Sequence, residues 1–149
     1  MNEKLETLNE EALLSCAKAI AIKAYEGQVD KAGAPYWHHP EFVAGHVEGV
    51  KTKAVAWLHD VIEDSVITAE DLFEAGIEAE VVEGVLAITK QKGEAYEAYL
   101  ARVKANPLAR AVKLADLEHN MDLSRIANPT QRDFDRIERY KKAKAFLLT

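Results

Sequence analysis

His59-Asp60 followed by Glu63 and Asp64 places one nitrogen donor and three carboxylates within six residues. Read as one helix over residues 52–65, at about 100° per residue, His59, Glu63, Asp60 and Asp64 share an arc of roughly 140°. Ala54, Leu58, Val61 and Ile62 fill the opposite side, and small Ala56 lies mid-arc, where bulk would obstruct a ligand. Carboxylates one turn apart repel each other, and no Lys or Arg lies between Lys53 and Lys90 to neutralise them. A solvated helix face tolerates such a cluster. The flanking AVAWL and the VI within are apolar, however, which predicts a helix near the domain centre. Buried carboxylates require cations, and a divalent ion supplies the charge compactly. Adjacent imidazole and carboxylate donors suit Mn²⁺, Fe²⁺, Zn²⁺ or Mg²⁺.

Two further segments carry residues of the same kind. In KAGAPYWHHP, His39 directly precedes Pro40, which predicts an extended residue pointing inward from a loop; His38 competes with it as a donor. Taken alone, a histidine pair in a loop is more often a surface feature. In AVKLADLEHNMDL, Asp116 shares a helical face with Ala109, Val112, Lys113 and Asn120, which gives an acid one turn from an amide. Taken alone, an exposed Asp–Lys pair at i, i+3 is the likelier reading. His119 points toward Val112, Ala115 and Leu123 and is read as a packed or supporting histidine.

The elements that must position these residues follow from periodicity and punctuation. Thr7 with Glu10 predicts a capping box for a helix ending near Tyr25, with Gly27 as its stop. Pro40 fits the first turn of a short helix ending near Gly49. Thr68 and Asp71 cap another, stopped by Gly76. Further helices are predicted over 79–89, 95–104, 107–123 and 131–147. Period-two alternation is nowhere sustained, so the expected fold class is all-α, a compact single-domain bundle of about seven or eight helices.

Composition limits the function classes. At 149 residues the chain suits one domain with a real core. Its 48% hydrophobic and 30% charged residues fit a globular protein rather than a disordered one. A net charge of −6 argues against broad nucleic-acid binding, and the apolar runs fall short of a membrane span. The acidic N-terminus has no signal-like apolar core. A lone cysteine, Cys16, fits core packing in a reducing cytoplasm.

An isolated His, a His-Asp pair and a distant Asp, in that order, resemble the metal signature of the HD superfamily of phosphohydrolases. More narrowly, GQVDKAGAPYWHHP, AVAWLHDVIEDS and VKLADLEHNMDL resemble the hydrolase domain of the RelA/SpoT family and its stand-alone small alarmone hydrolases, over residues 14–125. The resemblance implies one divalent ion, usually Mn²⁺, held by His39, His59, Asp60 and Asp116. It makes Glu63 and Asp64 the acidic pair that orients and deprotonates the attacking water. It places Lys31 and Asn120 against a nucleotide, with Lys90 a further candidate for phosphate contact. The implied reaction removes the 3′-pyrophosphate of guanosine tetra- or pentaphosphate, and the implied partner is that nucleotide. Residues 1–149 would form one HD-type domain, with no room for a synthetase domain. Two departures bear on the substrate: the family's Arg-Lys pair is Asp30-Lys31 here, and a hydroxyl residue shortly after the Asn120 position is Leu123, with Ser124 next to it. They leave open the same chemistry on another nucleotide or phosphorylated metabolite, and a nucleotide-binding module without turnover.

Overall fold

The computed structural model describes residues 9–29 and 33–149. Among these there is no β-strand beyond a single bridge between Val29 and Pro35. The helices are α1 (Glu10–Ala24), α2 (His38–Gly45), α3 (Val50–Leu58), α4 (Val61–Asp64), α5 (Ala69–Glu74), α6 (Ala79–Ile88), α7 (Tyr96–Ala105), α8 (Pro107–Asn120) and α9 (Gln131–Leu148).

Helix α3 is the axis of the bundle. Thr52, Ala54, Val55, Ala56, Trp57 and Leu58 are all buried, as expected of a helix that is apolar all round. It is covered by α1, α2, α6 and α8. Helix α1 presents Leu13, Ala17 and Ala21 inward, where two alanines keep its backbone near its neighbour. At Gly84 the fit is tighter: a Cβ there would sit 2.9 Å from Cγ2 of Val55 and 3.4 Å from Cβ of Leu108. Helix α6 can therefore lie against α3 and α8 only with glycine at this position. Helices α7 and α9 complete the outer layer against α8.

Four sequence expectations change. Thr7 lies outside the described residues, and the cap of α1 is Asn9, whose Oδ1 accepts the Ala12 N–H at 2.8 Å. The helix expected over 52–65 is broken in two at His59-Asp60, with Asp60 at φ −107°, ψ 2°. His39 is not extended; it lies in the first turn of α2, where Pro40 costs nothing because first-turn N–H groups have no helical acceptor. The helix expected to reach Leu123 stops at Asn120, and a 3₁₀ turn over Leu123–Arg125 follows, capped by Asp122. Thr68 and Asp71 form the anticipated capping box of α5.

Candidate metal centre and its cleft

The break between α3 and α4 has a visible cause. Asp60 loses its helical acceptor, and its N–H donates instead to the Tyr25 hydroxyl at 3.1 Å. The Tyr36 hydroxyl donates to Oδ2 of Asp60 at 2.5 Å. Two tyrosines, from the end of α1 and from the following loop, thus hold Asp60 by backbone and side chain. The turn also moves His59 inward. Its Nδ1 meets the carbonyl of Ala56 at 2.6 Å, so Ala56 is a core residue whose backbone supports the histidine rather than open lining.

The three segments converge. His39, His59 and Asp60 each offer a donor atom, and these atoms all lie within 4.8 Å of one another. Asp116 closes the group, with Oδ1 at 2.7 Å from Nε2 of His39 and 3.5 Å from Nε2 of His59. His39, His59 and Asp116 are only 4%, 2% and 5% exposed.

The donor set fits a cation. With its Nδ1–H given to Ala56, neutral His59 turns the Nε2 lone pair toward carboxylate oxygens of Asp60 at 3.1 Å and Asp116 at 3.5 Å. That buried Nε2 has no hydrogen-bond partner. Lone pair against carboxylate is repulsive unless positive charge lies between them. Burial opposes protonation of His59, yet the charges of Asp60 and Asp116 raise its pKa well above the ordinary imidazole value. The site therefore demands a positive charge at this position, and a divalent ion meets the demand better than a proton. Burial likewise works against ionised Asp116, but the Lys113 ammonium and the imidazoles of His39 and His59 hold its carboxyl well below the usual range.

Glu63 and Asp64 line the same cleft, of about 430 Å³, together with Tyr36, Asn120 and Arg125. Burial, then the charges of Asp60 and Glu63, push the Asp64 carboxyl up to about 6. A carboxyl there can exchange a proton near neutral pH.

No family model matches the chain. The bifunctional (p)ppGpp synthase/hydrolase SpoT of Escherichia coli K12 is 36% identical over 120 residues, covering 70% of this chain and 17% of its own. A guanosine-3′,5′-bis(diphosphate) 3′-pyrophosphohydrolase of Haemophilus influenzae is 39% identical over 118 residues, 68% of this chain and 17% of its own. A GTP pyrophosphokinase of Myxococcus xanthus is 32% identical over 126 residues, 73% of this chain and 17% of its own. Among solved structures, a metazoan ortholog of SpoT that hydrolyzes ppGpp superposes with a TM-score of 0.75 at 23% identity, over 95% of this chain and 88% of that one. That last likeness carries the all-α fold. The chain is a relative of the SpoT-type (p)ppGpp hydrolases. It spans about one sixth of the length of these curated relatives.

Against that family, the placement of the anticipated residues is uneven. His39, Asp60, Glu63, Asp64, Asp116 and Asn120 all line the cleft, with His59 buried behind them. Lys90 does not line it; its backbone N–H reaches Oε1 of Glu63 at 3.3 Å. Asp30 and Lys31 lie outside the described residues. The Ser124 hydroxyl donates to Oδ1 of Asp122 at 2.5 Å, while Asp122 itself faces the cleft.

Sequence reasoning also passed over several contributors. The Lys113–Asp116 pair is buried rather than exposed: Nζ lies 3.0 Å from Oδ2, under a Tyr99 ring 5.4 Å away. Burial opposes the Lys113 charge, but Asp116 and Tyr99 raise its pKa well above the usual lysine value. The cation missing between Lys53 and Lys90 thus arrives from α8. Nothing in the local spacing distinguishes such a pair from a surface one; the signal was the alanine and valine sharing its face. Tyr36 and Arg125 had no signal beyond their neighbourhood in the motifs.

Proposed function

We propose that the chain is a divalent-metal-dependent phosphohydrolase that removes the 3′-pyrophosphate of guanosine tetra- or pentaphosphate. Residues 1–149 are read as one HD-type hydrolase domain acting on a nucleotide in the cytoplasm. The observation that carries the proposal is the unpartnered Nε2 of His59, facing two carboxylates at the base of a cleft whose rim holds a further acidic pair.

His39, His59, Asp60 and Asp116 would hold one ion, Mn²⁺ in our reading, since mixed imidazole and carboxylate donors suit it. Bound there, the ion supplies Lewis-acid polarisation of a phosphoryl oxygen and acidifies water. The remaining steps belong to the chain. Glu63 and Asp64 orient the attacking water and accept its proton, with Asp64 matched to neutral pH. Water adds at the phosphorus joined to the ribose 3′ oxygen, that O–P bond breaks, and the proton taken from water passes to the 3′ oxygen, which leaves as a hydroxyl. Asn120 donates Nδ2–H to Oδ1 of Asp116 at 3.0 Å, so its amide links the metal set to the nucleotide. Arg125, at the cleft wall, supplies positive charge for phosphate.

The test is incubation of the Mn²⁺-loaded protein with guanosine tetraphosphate, with products resolved by anion exchange. GDP and pyrophosphate in equal amounts are expected; release of single phosphates, or no release, overturns the proposal. A second reading, the same chemistry on another nucleotide or phosphorylated metabolite, is favoured by Asp122 in the cleft and by Asp30 in the sequence. Under the first reading, Asp30→Arg lowers KM for guanosine tetraphosphate by about fivefold with little change in kcat, a single-charge effect of about 1 kcal/mol. No improvement promotes the second.

A further inference from the structure

Behind His39, away from the carboxylates, lies a second imidazole that the proposed reaction does not use. Nδ1 of His119 is 2.7 Å from Nδ1 of His39, and both rings are buried. We infer that His119 is a positioning residue that fixes the tautomer and pose of His39, so that His39 presents its Nε2 lone pair to the ion; the inference rests on the metal reading above.

The argument is one of hydrogen count. Two ring nitrogens at 2.7 Å share one hydrogen: one donates and the other accepts. Nε2 of His39 faces the centre, 2.7 Å from Oδ1 of Asp116. To ligate through Nε2, neutral His39 must carry its hydrogen on Nδ1, and a buried N–H needs an acceptor. His119 Nδ1 is that acceptor, which puts the His119 hydrogen on Nε2. The other histidine is served by a backbone carbonyl, that of Ala56. His39 depends instead on a side chain, one that can be exchanged.

The surroundings hold that side chain in place. Phe42 lies against the His119 ring, with centroids 3.9 Å apart and planes 14° from parallel. The ring planes of His119 and His39 are within 10° of parallel with centroids 5.0 Å apart, a geometry compatible with an in-plane N–H···N bond between the two Nδ1 atoms at 2.7 Å. Nη1 of Arg125 donates to the His119 carbonyl at 3.1 Å, fastening the last turn of α8.

Two substitutions separate this role from packing. His119→Asn removes the ring but keeps an oxygen acceptor near the Nδ1 position. His119→Phe keeps the ring against Phe42 but removes the acceptor. Metal-free wild type and both variants are titrated with Mn²⁺ and Zn²⁺ by calorimetry, with far-UV circular dichroism as the control for folding. Positioning predicts that Asn stays within about threefold of wild-type affinity, while Phe weakens it 10–100-fold, the usual scale for supporting partners of metal histidines. Phe binding like wild type, or both variants weakened alike, overturns the inference while leaving the metal reading intact. A wild-type protein that binds no metal overturns the metal reading itself. Should either variant fail to fold, long-range ¹H–¹⁵N spectra of the Zn²⁺-loaded wild type decide. A hydrogen on Nδ1 of His39 and none on Nδ1 of His119 is expected, and the reverse refutes the inference.

Discussion

Asp64→Asn should make the metal-free protein more stable while removing its activity. The Asp64 carboxyl is pushed from 3.8 to about 6 by burial and by the charges of Asp60 and Glu63. Because the folded-state value lies above the unfolded one, the native state holds its proton more tightly, and stability falls as pH rises from about 4 through about 6. Two units would correspond to about 3 kcal/mol. Part of the Asp64 side chain still faces solvent, so screening reduces this to about 1 kcal/mol. Asparagine carries no charge to be repelled. The variant should therefore gain about 3 °C in Tm at pH 7.5 in EDTA, and the gain should vanish below about pH 4. With Mn²⁺ present, the cation relieves the repulsion and the difference should narrow, while turnover drops by roughly 10² or more. Scanning calorimetry from pH 4 to 8, with and without metal, measures each term. A gain independent of pH, or a loss of stability at pH 7.5, refutes the reasoning.

The other predictions concern the ligands, the acidic pair and the buried cation. Elemental analysis should find close to one divalent transition metal per chain, and His39→Ala or Asp116→Ala should lower both occupancy and Tm in Mn²⁺; an unchanged metal content counts against the assignment. Glu63→Gln should retain metal and substrate binding but lose turnover by roughly 10² or more; loss of metal instead would make Glu63 a ligand. Lys113→Met should destabilise the metal-free protein by about 3 kcal/mol in urea, because it leaves Asp116 buried without its nearest ammonium. A change below about 1 kcal/mol would show that the pair contributes little.

What could be read from the sequence was local, and what could not was a bond between distant residues. The helices of the bundle follow from apolar spacing and from caps such as Thr68 with Asp71. The His-Asp pair stands out by its residue types within an apolar helix, whereas its two distant companions, His39 and Asp116, come only from the resemblance to a known metal signature. The break at His59-Asp60 does not, because Val55, Leu58, Val61 and Ile62 keep a helical period straight across it. It depends on the Tyr25 hydroxyl taking the Asp60 N–H, thirty-five residues away in the chain. Lys113 is a similar case: at i, i+3 from an acid it resembles any solvated pair, and only the packing of α8 against α3 and α7 makes it the counter-charge of the centre. The sequence places acids together at a cost in helix stability. The fold meets that cost with a lysine and two tyrosines from other segments, and these leave the imidazole Nε2 of His59 unpartnered at the point where a cation fits.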